Sequence, residues 1–203
     1  MSFGTIFALL ISVIFVNNFV FARFLGLCPY LGVTKDTSSA IGMGMAVIFV
    51  MTVASIVTWP LYRYFLAPFG LERVLRTTSF ILVIASLVQF IEMLLQKVNP
   101  ALYKALGIYL PIITTNCAIL GVAVLNIDTF FKGGNPLPGS YLASVVQGFG
   151  AGLGFTLAMI LMSSVRERME MANIPKALQG IPIAFVTAGL MSMGFLGFSG
   201  LIK

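Results

Sequence analysis

The chain has 203 residues, 59% hydrophobic and 9% charged, with no histidine and a formal charge of +6 from 12 basic and 6 acidic residues. A soluble domain averages about 25% charged residues, so a surface this poor in charge faces lipid. The basic residues are scattered through short loops with no run that could track phosphates, which excludes nucleic acid and points to anionic membrane lipid as their partner.

A bilayer core about 30 Å thick needs roughly 20 apolar residues per helix. The first such run covers about 3–30. Its opening ten residues contain no lysine or arginine, and the apolar stretch passes the point where a cleavage site would fall, so it reads as a retained span and not as a signal. The run is interrupted. Asn17, Asn18 and Arg23 precede Gly26-Leu27-Cys28-Pro29, where proline lacks a donor and glycine weakens the helix. The Thr34-Lys35-Asp36 turn leads to a second run, about 38–59, which opens with Gly42-Met43-Gly44. Trp59, Tyr62 and Tyr64 close it, as amphipathic rings do at the headgroup level.

A charged stretch from Arg63 to Arg76 separates the third run, about 77–96. It holds Glu92, the one carboxylate well inside a predicted span and therefore a candidate for ion or proton handling. Gln96 and Lys97 follow closely, so a place near the interface is the competing reading. After Lys97-Val98-Asn99-Pro100 the fourth run, about 101–125, carries Pro111, Thr114-Thr115-Asn116-Cys117 and Gly121. It reads as a second interrupted helix. The segment from Asp128 to Gly139 is the next loop, rich in glycine and proline. The fifth run, about 141–165, bears Gly148, Gly150, Gly152 and Gly154, spaced for close helix packing. Arg166 to Lys176 forms a charged turn before the sixth run, about 181–202. Asp36, Glu72, Asp128, Glu167 and Glu170 read as solvated loop residues.

Two segments share the pattern C-x-x-L-G-V: Cys28-Pro29-Tyr30-Leu31-Gly32-Val33 and Cys117-Ala118-Ile119-Leu120-Gly121-Val122. They contain both cysteines of the chain and lie 89 positions apart, room for about three spans. The glycines opening the second and fifth runs are offset by 106, so the second half carries a longer first loop. The expectation is an all-α integral membrane protein. Its six transmembrane helices form two inverted three-helix repeats, about 1–100 and 101–203 of a single domain, with helices 1 and 4 interrupted. Lys35, Lys97, Lys104, Arg166, Arg168 and Lys176 outnumber the basic residues of the other face by six to five, a slight bias that places the N-terminus outside.

The two thiols admit three readings: small buried hydrophobes, a disulfide, or metal ligands. Iron–sulfur clusters and zinc normally take four ligands, and this chain supplies two thiols with no histidine, so metal binding requires a second chain. Backbone N–H groups at the helix breaks, Asn116 and Arg23 could offset the charge of such a centre. For the asparagines the alternative is interhelical hydrogen bonding, and for Arg23 it is snorkelling.

The stretches Val16-Asn17-Asn18-Phe19-Val20, Phe24-Leu25-Gly26-Leu27-Cys28-Pro29 and Leu110-Pro111-Ile112-Ile113-Thr114-Thr115-Asn116-Cys117 resemble the A-type subunits of the Rnf electron-transport complex. So do Arg166-Glu167-Arg168, Thr187-Ala188-Gly189-Leu190-Met191-Ser192 and Gly197-Phe198-Ser199-Gly200-Leu201. The family includes the D and E subunits of the sodium-translocating NADH:quinone reductase. The resemblance implies a six-helix subunit in a bacterial or archaeal plasma membrane, paired with a homologous E-type subunit of opposite topology. It implies a [2Fe–2S] cluster with two cysteines from each partner, here Cys28 and Cys117. It also implies a redox-driven ferredoxin:NAD⁺ oxidoreductase with B, C, D and G subunits, coupled to Na⁺ or H⁺ translocation, and no complete active site in this chain. The competing class is a small inverted-repeat transporter or channel without a redox centre.

Overall fold

The computed structural model describes residues 3–68, 75–98, 110–132, 135–136, 139–171, 175 and 179–200. Glu72, Arg73, Lys104, Lys176 and Lys203, with residues 99–109 and the centre of the glycine/proline-rich loop, lie outside them. The first element, α1 (Phe3–Ile11), continues as a π-helical turn, Ser12–Val16. After an irregular stretch, α2 covers Leu27–Val33 and α3 covers Thr37–Leu61, with a second π-helical turn at Tyr62–Leu66 just past Pro60. Then come α4 (Arg76–Val98), α5 (Leu110–Thr114) and α6 (Cys117–Phe130). A two-residue antiparallel ladder, Phe131–Lys132 with Asn135–Pro136, precedes α7 (Ser140–Glu170) and α8 (Ile181–Leu196).

Among the described residues four helical stretches are long and apolar enough to cross a membrane: Thr37–Leu66, Arg76–Met93, Ile112–Phe130 and Ser140–Glu170. Gly4–Val16 and Ile181–Leu196 are apolar but shorter. The protein is thus a multi-pass helical membrane protein. Helices also run further than loop composition suggests. Asp128 belongs to α6, where it pairs with Arg76 at 2.6 Å, and Arg166, Glu167, Arg168 and Glu170 form the last turns of α7. Charge ends a membrane span without ending the helix, since the backbone still gains from its own hydrogen bonds outside the lipid.

Contacts fix the direction of each element. Gly44 lies against Thr156, Ile48 against Gly152, and Met51 and Ser55 against Gly148. Numbers rise on α3 as they fall on α7, so these two central helices are antiparallel. Glycine makes this possible: a methyl at Gly152 would stand 2.7 Å from the Ile48 Cα, and between helices in lipid close backbone approach takes the place of hydrophobic drive. Leu10 and Val13 face Gly150 and Ile14 faces Gly154, so α1 runs parallel to α7. The same course resumes in α2, whose Leu31 carbonyl meets Arg166 near the end of α7. On α6, Ala118 lies beside Gly26 at the middle of the bundle and Asn126 bonds the Ser144 carbonyl, so α6 opposes α7. Helix α8 opposes α7 as well, from Thr187 beside Met169 to Ser192 beside Phe21.

One end of the bundle therefore carries the Arg76–Asp128 pair and an aromatic cluster of Trp59, Tyr62, Phe131 and Tyr141. Arg63 lies 5.4 Å over the Trp59 ring there. The opposite end carries Thr34, Thr37, Arg166 and Glu167.

Candidate functional site at two helix breaks

The first break, residues 17–26, begins where the Asn17 N–H bonds the Ser12 carbonyl at 2.7 Å and closes the π-helical turn. Backbone without helical partners survives at membrane depth only if protein groups satisfy it. Asn18, 1% exposed, does most of this. Its Nδ2 donates to the carbonyls of Ile14 at 3.0 Å and Gly154 at 2.9 Å, and its Oδ1 accepts from the N–H groups of Val20 at 3.0 Å and Phe21 at 3.4 Å. Ser192 of α8 donates to the Phe21 carbonyl at 2.6 Å. Two left-handed residues then turn the chain back into a helix: Phe24 at φ 54° and Gly26 at φ 81°.

The second break lies between α5 and α6. The Asn116 N–H reaches back to the Ile113 carbonyl at 3.0 Å, and its extended backbone makes it the N-cap of α6. Its Oδ1 accepts from the Ala118 N–H at 3.0 Å, the side-chain cap such a start requires. The buried Nδ2 of the same side chain has no partner among the described residues.

The two breaks meet. The backbone N–H of Gly26 donates to Cys117 Sγ at 2.9 Å. Cys117 is the first residue of the fourteen-residue α6, and Cys28 follows Gly26 by two positions. Both cysteines are free and exposed on the surface of the isolated chain, so neither is a core hydrophobe and they are not joined to each other. Cys117 opens into a groove of about 340 Å³, lined by Thr114, Thr115, Asn116 and Leu120 with Ile81, Ile84 and Ala85 of α4.

This donor set fits a sulfur-ligated centre. The Gly26 N–H is aimed at the Cys117 sulfur, and the unpartnered Asn116 Nδ2 is a donor available to an acceptor. Among the described residues no group of three or more Cys, His, Asp or Glu could hold a metal ion. Two thiols are what this chain offers.

Of the other candidates, Asn116 stands in the site. Arg23 does not reach the Cys117 groove; it lines a separate one of about 430 Å³ with Ser12, Asn17, Thr129 and Gln147. Glu92 is half-buried on α4, seven residues or about two turns past Ala85. Sequence reasoning misses the supports supplied from a distance by the Gly154 carbonyl, Ser192 and Arg166. The hydroxyl at Ser192 is the only visible cue among the first two, since any residue has a carbonyl.

The fold defines a polytopic helical membrane protein in which two interrupted segments, each carrying a free exposed cysteine, meet through the Gly26–Cys117 bond. The family described as "Rnf-Nqr subunit, membrane protein" matches residues 6–202. The A-type subunit of the Na⁺-translocating ferredoxin:NAD⁺ oxidoreductase complex of Acetobacterium woodii is 52% identical over 97% of this chain and 98% of its own length. The A-type subunits of ion-translocating oxidoreductase complexes are 52% identical in Aliivibrio salmonicida, over 96% of both chains, and 54% identical in a Shewanella species, over 96% of this chain and 97% of theirs. The chain belongs to the Rnf-Nqr family of membrane subunits.

Proposed function

We propose that this chain is the A-type subunit of an ion-translocating oxidoreductase complex, relaying electrons across a bacterial or archaeal plasma membrane between ferredoxin and NAD⁺. In this reading a [2Fe–2S] cluster is held by Cys28, Cys117 and two cysteines of a homologous E-type subunit of opposite topology. The observation that carries it is the Gly26 N–H to Cys117 Sγ bond, which brings the two halves of the repeated cysteine motif to one place. The names of relatives above half identity over nearly the whole chain support the complex.

When bound, such a cluster supplies a one-electron relay. This chain's part is to hold two thiolates and to stabilise negative charge with fixed donors: the Gly26 N–H, the first amides of α6, and Asn116 Nδ2. The apolar α4 wall of Ile81, Ile84 and Ala85 lowers the polarity beside Cys117, which strengthens each of these interactions. The alternating directions of the elements support six crossings in two inverted triplets, with the short apolar helices as the first and last. The N-terminus is placed outside. Electron flow is coupled to Na⁺ or H⁺ movement, with Glu92 the carboxylate of this chain best placed to take part and Arg23 a more distant positive charge.

Purifying the protein with its co-expressed neighbours, then measuring iron, acid-labile sulfide and visible absorption, tests this reading. About two irons per A–E pair are expected. An iron-free, colourless complex with both partners present would leave the transporter class as the better account.

A further inference from the structure

The half-helix carrying Cys28 has seven residues, Leu27–Val33, too few to hold itself by its own hydrogen bonds. Its last carbonyls have no helical partner, and each needs a donor from elsewhere. Two side chains supply donors to two of them, the carbonyls of Tyr30 and Leu31. Thr34 Oγ1, fully buried, donates to the Tyr30 carbonyl at 2.5 Å. Arg166 Nη1, from the far end of α7, donates to the Leu31 carbonyl at 2.7 Å and to Thr34 Oγ1 at 3.1 Å. A guanidinium thus sits at the negative end of α2, three residues beyond Cys28 in sequence at its nearest bond.

The grip extends further. Glu167 accepts from the hydroxyl of Thr37, the first residue of α3, and Thr37 also bonds Ser163 at 3.0 Å. One turn of α7 therefore holds both the end of the Cys28 half-helix and the start of the next helix. The Cys117 side is built differently. Its helix runs for fourteen residues, and Arg63, the arginine near the corresponding end of α3, stacks over Trp59 and Tyr64 at 5.4 and 5.8 Å.

We infer that Arg166 is a positioning residue for Cys28: it locks the half-helix that carries this thiol beside the second break, and it does so for Cys28 alone. The functional meaning rests on the two-thiol centre proposed for this chain; the geometric content does not.

The chain's only two thiols are Cys28 and Cys117, so the full-length protein in membranes can be spin-labelled at both and their separation measured by dipolar EPR, in continuous-wave mode for closely spaced labels. The parent is expected to give one narrow distance distribution. Arg166→Ala is expected to broaden it about twofold, as a local element loses its anchor. Arg166→Lys keeps the charge without the fork of donors and should fall between. A control pair, Cys117 with Leu142→Cys in a Cys28→Ala background, should stay unchanged. An unbroadened Arg166→Ala distribution overturns the inference, and so does equal broadening of the control pair. If Arg166→Ala is not recovered, Thr34→Val keeps the shape and removes the bridging hydroxyl; it should broaden the distribution less, and no broadening overturns the inference. In the assembled complex, Arg166→Lys should retain iron and shift the EPR signature of the reduced centre, and an unshifted signature counts against positioning. An iron-free parent complex would end the cluster reading and leave the distance result to decide the role of Arg166.

Discussion

Gly26 and Cys117 are joined by a 2.9 Å hydrogen bond from backbone N–H to sulfur, across 91 positions of sequence. The bond depends on glycine. At φ 81° a Cβ would be strained, and it would also stand 2.7 Å from the Phe155 ring and 3.1 Å from the Ala118 Cβ. A side chain at position 26 therefore collides with Phe155 of α7 and crowds Ala118 and Asn116 at the start of α6. Gly26→Ala is expected to cost about 1–3 kcal/mol of stability and to lower the iron content of the purified complex. Thermal unfolding in detergent and iron analysis check both effects. Full iron at parent stability would mean that the breaks tolerate a side chain there.

Replacing Cys28 or Cys117 with alanine should remove iron and electron transfer while the chain still inserts. Neither side chain is buried in the core, so the loss of packing is small and the effect should be on the centre alone. Serine can act as a weak ligand, so alanine is the cleaner substitution. Full iron content in both single variants would refute the ligand assignment.

Asn18→Ala should destabilise by about 2 kcal/mol, because it leaves buried backbone groups of the first break without partners. The parent side chain bonds Ile14, Gly154, Val20 and Phe21 at once. Melting temperature and protease sensitivity of the purified variant report the loss. An unchanged melting temperature would show that other groups, or water, take over these bonds.

How far the site is legible in the sequence follows from these residues. Cys28, Cys117 and Asn116 stand out because a repeated motif and a proline or asparagine at a helix break are local signals. The sequence marks Asn18 as an interhelical hydrogen-bonding group but hides its partner, since a carbonyl such as that of Gly154 carries no mark. Sequence proximity alone sets Arg23 beside the cysteines. Left-handed Phe24 and Gly26 lie between them, and Arg23 lines another groove. Helix ends are misplaced for a similar reason. Asp128 and Arg166 look like loop charges, yet each sits on a helix and has a partner from a distant element.

Thr34 and Arg166 are bonded at one end of the bundle, and Arg76 and Asp128 at the other. Reporter fusions at Lys35 and after Arg166 should therefore report the same side of the membrane, and a fusion at Arg76 the opposite one. Fusions that put Lys35 and Arg76 on one side would contradict both the bundle and the inverted repeat.

The chain expressed alone should not hold a stable cluster. It has two thiols and no histidine, and a [2Fe–2S] centre takes four protein ligands. The described residues offer no third Cys, His, Asp or Glu to form a metal-holding group. Meeting at the breaks brings Cys117 to Gly26 and the start of the Cys28 half-helix, yet half of the coordination sphere stays open, on a surface where both thiols are exposed. In the proposed reading the remaining two ligands come from a chain whose own thiols face this surface, most simply a homologue in the opposite orientation. Expressed singly, the protein should be colourless or carry a labile, substoichiometric centre, and co-expression with the partner should restore colour and iron together. A full-occupancy centre in the monomer would contradict this directly. A homodimer with one cluster would keep the ligand count and refute the heterologous partner.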